Sequence, residues 1–249
     1  LKSDYKKMNV FPFNYTWQET ILFYRFLRHR KGFGVHSPFA FSFITKVIDE
    51  RCGYYCYQDI ELIRRQLEHK GNKLARKDIK RSHGELLFRT VNFFKPKKLL
   101  QIGSPAGIAS LYLTAYASDV KAIVLEKDAA SAETTNWSLQ KYHSKVQMCP
   151  GDYEQTLPAA LQDLGKVDFV FFQASQEKEK NRFFLEETMK HIHPDTVFFL
   201  EGIRENQEMR TLWQEICNRK EVSLTFDLFH IGIVIFQPRF HKKNYMLYF

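Results

Sequence analysis

Seven short apolar runs, and the spacers between them, constrain this chain more than any other feature. Five of them, Leu99–Ile102, Ala122–Leu125, Val146–Cys149, Phe169–Phe172 and Val197–Leu200, are dominated by aliphatic and aromatic side chains. Segments with helical character follow each: about Ile108–Ala117, Ala129–Tyr142, Glu154–Leu164, Lys178–His191 and Glu205–Arg219. Strands apolar on both faces, each followed by a helical crossover, predict a parallel sheet covered on both sides. The last two runs, Ser223–Leu228 and Ile231–Phe236, are joined only through Phe229-His230. Parallel neighbours need a crossover of about a dozen residues, so these two must pair antiparallel. The expected fold class is α/β: a doubly wound, mostly parallel, seven-stranded Rossmann-like sheet with an antiparallel last strand.

The first third of the 249 residues reads differently. Leu1–Thr16 is an aperiodic arm, and Trp17–Arg30 has helical spacing ending at Gly32 and Gly34. Ser37-Pro38 has the form of an N-cap with proline at the first helical position, followed by Phe39, Phe43, Ile44, Val47 and Ile48 at helical spacing. Further helices are expected over Gln58–His69 and Ser82–Phe94. The chain therefore divides into a helical extension, 1–81, and a sheet domain, 82–249. The extension is expected to serve as a substrate lid or an oligomer contact, and a homodimer is the assembly it would make.

Charge follows the same division. Residues 1–98 hold 21 Lys/Arg against 9 Asp/Glu, a net of +12, whereas the remainder carries −3, giving +9 overall. A basic extension can meet nucleic acid or an anionic surface, or can simply be a solvated helical face. No RNA-binding module and no Asn-Pro-Pro-Tyr motif accompanies it, so nucleic acid is the less favoured partner. No run reaches the roughly 18 apolar residues of a membrane span. Four cysteines are too few and too scattered for a disulfide framework, which points to a reduced, cytoplasmic setting.

In a doubly wound sheet, ligands bind beyond the carboxyl ends of the strands. The first strand runs into Gly103-Ser104-Pro105-Ala106-Gly107, where glycines let a ligand approach the backbone. The second ends at Glu126, followed by Lys127 and Asp128. An acidic residue about twenty positions past the glycine turn is placed to accept ribose hydroxyls. The same glutamate could instead cap the helix that starts near Asp128. A dinucleotide fingerprint needs glycine where this chain has Pro105 and Ile108, which argues against NAD.

Taken in order, these segments resemble the class I S-adenosylmethionine-dependent methyltransferases, especially the catechol-type O-methyltransferases and similar bacterial proteins. The resemblance lies in Leu99–Ser110, Ile123–Glu126, Val167–Gln173, Phe198–Ile203 with Trp213, and the closing Thr225–Val234 hairpin. It spans about residues 84–237, and Arg30 with His36-Ser37-Pro38-Phe39 is reminiscent of leader helices in some bacterial members. It implies S-adenosylmethionine as cofactor, S-adenosylhomocysteine as product and a small-molecule methyl acceptor. Gly103, Ser104, Pro105 and Gly107 would pass under the methionine and ribose. Glu126 would hold the ribose hydroxyls, Asp152 and Tyr153 would lie beside the adenine, and Lys127 and Gln173 would also belong to the cofactor-binding set.

Three positions depart from the family pattern. Gln101 stands where an acidic residue is usual, Gln173 where aspartate is common, and Glu201-Gly202 where an Asp-Asp or Asp-Asn pair is common. Metal-dependent members bind Mg²⁺ through the last two sets, and octahedral oxygen ligation needs more than the single carboxylate of Glu201. No dedicated Mg²⁺ site is expected. Glu201 is the candidate general base, with His36 and His230 behind it. The lost carboxylates also fit a cofactor-binding protein that no longer catalyses.

Smaller signals are structural. Cys52-x-x-x-Cys56 lacks a second zinc-spaced pair, so both are expected to be plain thiols. His191-x-His193 lies at a helix end, where cationic side chains suit the dipole. The aromatic tail, Phe240 to Phe249, is expected to form a last strand or a partner-facing edge.

Overall fold

The computed structural model describes residues 35–142, 146–174 and 178–249. The expected arm and first helix, residues 1–34, lie outside the described residues.

Ser37 Oγ accepts from the Ala40 amide at 3.3 Å and caps α1 (Pro38–Phe43), which continues into a π-helical turn, Ile44–Ile48. Next come α2 (Tyr55–His69) and α3 (Arg81–Phe94). The alternating part is β1 (Lys98–Ile102), α4 (Ile108–Thr114), β2 (Lys121–Glu126), α5 (Ala129–Tyr142), β3 (Val146–Pro150) and α6 (Tyr153–Leu164). It continues as β4 (Phe169–Gln173), α7 (Lys178–Met189), β5 (Val197–Glu201) and α8 (Gln207–Asn218). The chain closes with β6 (Leu224–Asp227), β7 (Ile231–Ile235) and β8 (Lys243–Met246).

The sheet order is β3-β2-β1-β4-β5-β7-β6-β8. β1 to β5 run parallel, and β7 lies antiparallel between β5 and β6. Eight strands stand where seven were expected, because the aromatic tail adds β8 parallel to β6 at the edge. Side chains alternate between the faces of the buried strands. Leu99, Phe169, Phe171 and Phe199 pack toward α1–α4, while Leu100, Val170, Phe172 and Phe198 pack toward α6–α8. Each such buried side chain contributes about 1.5–3 kcal/mol of transfer free energy. Helices 35–94 thus share one core with the sheet face they cover. Among the described residues, no helix is long and apolar enough to cross a membrane.

One close contact locks the antiparallel strand. A Cβ on Gly232 of β7 would stand 2.4 Å from Cζ3 of Trp213 in α8. Gly232→Ala should therefore cost about 1–3 kcal/mol, as overpacking a filled core does. Thermal denaturation of the variant measures it, and an unchanged midpoint would mean that the indole moves aside freely.

Candidate functional site

The strands fan outward from β1 in one direction and from β4 in the other, which puts the topological switch point between them. The turn after β1 borders that point. Gly103, Ser104 and Gly107 all adopt left-handed backbone, with φ of 82°, 95° and 73°. At Gly107 a Cβ would lie 2.9 Å from Thr135 Cγ2, so glycine is what lets α4 start against α5. Ser104 bears its unfavourable φ because its hydroxyl donates to Asp78 Oδ1 at 2.7 Å and accepts from the Ala109 amide at 3.1 Å. Gln101 is fully buried and donates from Nε2 to the Gly103 carbonyl at 2.8 Å. Here the amide braces the turn. Pro105 stands partly exposed at its tip.

Glu126, the last residue of β2, is only 3% exposed, and its Oε1 is buried without a hydrogen-bond partner. The alternative role of helix cap belongs to Asp128, whose carboxylate accepts from Ser131 N at 2.9 Å and Ser131 Oγ at 2.6 Å. Burial, reinforced by the nearby Asp78 and Asp128 charges, pushes the Glu126 carboxyl up to about 8. An orphaned carboxyl oxygen at a strand end can accept from hydroxyl donors of a ligand, which would favour release of its proton. Lys127 is exposed beside it.

Gln173 and Glu201 end β4 and β5 as partners in register. Gln173 Nε2 donates to the Lys77 carbonyl at 3.3 Å. Glu201 Oε1 lies 2.8 Å from His83 Nδ1, while Oε2 is buried and unpartnered. The His83 and His230 rings are 6.1 Å apart. Partial burial, with His83, Lys80 and Arg204 nearby, lowers His230 to about 4, so it is neutral at pH 7. Its carbonyl accepts from Gly202 N at 2.8 Å and Ile203 N at 3.2 Å, fixing the turn after Glu201. Asp152 caps α6, and Tyr153 packs edge-on against Phe184 at 5.1 Å.

The structure thus gathers the glycine turn, Glu126, Gln173, Glu201 and His230 at the carboxyl ends of the strands. His36 is exposed two residues before α1. Asp78 and His83 join the cluster from the helical third, where no local periodicity marks them. Cys52 is exposed and Cys56 buried, and no set of three or more His, Cys, Asp or Glu among the described residues could hold a metal. His191 Nδ1 and His193 Nε2 tie down the loop after α7, at 2.6 Å from the Gly165 carbonyl and 2.9 Å from Asp168.

This sheet order, with an internal antiparallel β7 and a glycine turn at the switch point, is the class I S-adenosylmethionine-dependent methyltransferase fold. Solved structures share it. An O-methyltransferase from Bacillus cereus, in complex with SAH, is 17% identical; the match covers 74% of this chain and 92% of that one at a TM-score of 0.58. The SAH-bound methyltransferase PaMTH1 of Podospora anserina is 14% identical over 91% of this chain and 98% of its own, at 0.61. TomG of Streptomyces achromogenes, an O-methyltransferase involved in tomaymycin synthesis and solved with SAM, is 16% identical over 74% and 91%, at 0.58. At such identities the likeness is one of fold. No protein-family model and no curated protein matches the sequence.

Proposed function

We propose that this chain is an S-adenosylmethionine-dependent methyltransferase acting on a hydroxyl of a small molecule, with S-adenosylhomocysteine as product. The observation that carries this reading is the buried, partnerless Glu126 Oε1 facing the same end of the sheet as the glycine turn. Those residues fit an adenosyl cofactor: Glu126 accepts the ribose hydroxyls, the Gly103–Gly107 turn leaves room beneath the ligand, and Asp152-Tyr153 and Gln173 flank it. The cofactor supplies an activated methyl group, so the protein's task is chiefly alignment. Glu201 Oε2 takes the acceptor's proton, while His83 orients the carboxylate through Oε1. With Gln173 and Gly202 beside Glu201, the reaction is proposed to proceed without Mg²⁺.

Calorimetry of the full chain should show S-adenosylhomocysteine binding at micromolar strength or tighter. Glu126→Ala should weaken it about 10- to 100-fold, the worth of one or two hydrogen bonds to a charged group. Undetectable binding by the wild-type chain would remove the reading. A second reading, a non-catalytic binding protein on the same frame, is favoured by the neutral Gln101, Gln173 and Gly202. Methyl transfer from labelled cofactor to any member of an acceptor panel would exclude it.

A further inference from the structure

Residues 73–81, which lead from α2 into α3, hold five basic side chains, Lys73, Arg76, Lys77, Lys80 and Arg81, against a single acidic one, Asp78. Hydrogen bonds lay this segment across the carboxyl ends of β1, β4 and β5. Asp78 is buried and accepts from Ser104 Oγ at 2.7 Å and Ala106 N at 2.8 Å, in the turn after β1. The Lys77 carbonyl accepts from Gln173 Nε2 at the end of β4. His83, in the first turn of α3, meets Glu201 at the end of β5. Arg64 of α2 fixes the path between, donating to the Ala75 and Ile79 carbonyls at 3.2 and 2.6 Å.

The one carboxylate of the segment is engaged inside the protein; its cations are not. Arg76, Lys77 and Lys80 are exposed, and among the described residues no ion pair engages them, whereas Arg81 pairs with Glu85 at 2.8 Å. No side chain caps α3 and no acidic residue stands in its first turn, so the positive end of the helix dipole adds to the same potential. Lys80 is the N-cap residue of that helix, three positions before His83. Helical positions so spaced lie about 5–6 Å apart, which sets a free ammonium one turn from the histidine that holds Glu201.

Cations at the mouth of a cleft concentrate anionic ligands there, and lysine pairs well with carboxylate or phosphate. A nucleic-acid strand would need a continuing track of such cations. The exposed Asp152, Glu154 and Glu205, after β3 and β5, interrupt one, so a small anion is the better fit.

We propose that Lys77 and Lys80 determine acceptor specificity: the methyl acceptor carries a carboxylate or phosphate close to the hydroxyl that it presents to Glu201. This rests on the proposed methyltransferase reading and narrows its acceptor class.

The test is a ligand-observed NMR titration of the full chain, in excess S-adenosylhomocysteine, with phenyl phosphate, benzoate, benzyl alcohol and benzylamine. At least one of the two acids should bind about tenfold or more tighter than the alcohol and the amine, and the stronger acid tells phosphate from carboxylate. Lys77→Gln with Lys80→Gln should weaken that acid about tenfold or more, while S-adenosylhomocysteine changes by less than about threefold. Lys242→Gln with Lys243→Gln, which removes equal charge from exposed positions near the β8 edge, should weaken it less than about threefold. Acids that bind the wild type no better than benzyl alcohol overturn the inference, and that comparison needs no folded variant. Equal losses in the two double variants reduce the preference to net charge and overturn the role of Lys77 and Lys80. Tighter binding of a single-stranded RNA, with a log–log salt slope of about −3 or steeper, reassigns the segment to nucleic acid and overturns it as well. Calorimetry with S-adenosylhomocysteine alone reads the methyltransferase site separately. Its failure removes that reading and the inference with it, whereas failure of the acids alone leaves the reading intact.

Discussion

Glu126→Gln will stabilise the ligand-free protein at pH 8 and flatten its stability between pH 5 and 8. In the unfolded chain this carboxyl titrates near 4.5, whereas in the folded chain it is held up to about 8. Below 4.5 both states keep the proton and no penalty exists. Between 4.5 and 8 the native state retains a proton that the unfolded chain releases, so stability falls as pH rises. At 1.4 kcal/mol per tenfold, the full loss is at most about 5 kcal/mol. Glutamine is neutral throughout and escapes it. The measurement is the difference between wild-type and variant melting curves across that range. A divergence of roughly 5–15 °C is expected from the usual few degrees per kcal/mol. Parallel curves would show that Glu126 is ionised at no cost. Under the proposed function, ribose hydroxyls favour the ionised form, so affinity for S-adenosylhomocysteine should rise with pH in the wild type and stay level in the variant.

That the same glutamate destabilises the empty protein and is suited to hold a ligand is a matter of environment, and environment is what a sequence conceals best. The strands themselves were legible, because runs such as Phe-Val-Phe-Phe and Val-Phe-Phe-Leu are apolar on both faces and lie between helical spacers. Their polar ends were less so. Glu126, Gln173 and Glu201 are the final ladder residues of β2, β4 and β5, one position further than the apolar runs suggest, since backbone pairing is indifferent to the side chain. The eighth strand, Lys-Asn-Tyr-Met, is mostly exposed; the sequence left its tail open between a last strand and a partner-facing edge, and pairing on β6 decides for the strand. Asp78 and His83 were invisible because their partners lie far along the chain, at Ser104–Ala109 and Glu201. Capping by Asp128 rather than Glu126 was open in the sequence, where both lie near the start of α5; the hydrogen bonds to Ser131 decide it.

A second large effect is expected at the closing hairpin, where Asp227 is 7% exposed and gathers four donors. Arg204 grips both of its oxygens, Nη1 on Oδ1 at 2.8 Å and Nη2 on Oδ2 at 2.6 Å. Trp213 Nε1 donates to Oδ2 at 3.2 Å, and the Phe229 amide to Oδ1 at 3.0 Å. Phe229 sits at φ 74°, a strained value for a bulky residue, and the contact to its amide helps to hold it there. Asp227→Ala leaves the guanidinium without its counter-charge in a largely buried place, which costs about 3–5 kcal/mol. Removing Arg204 as well, as Asp227→Ala with Arg204→Met, should recover part of that loss, because the uncompensated charge goes with it. Equilibrium denaturant unfolding of the two singles and the double reads the coupling. A loss below about 1 kcal/mol for Asp227→Ala would show the pair to be worth no more than a surface ion pair. The consequence reaches the site through His230, whose carbonyl receives the Gly202 and Ile203 amides. When the hairpin loosens, the turn after Glu201 loosens with it, so under the proposed function methyl transfer should fall in Asp227→Ala even where the remaining fold survives.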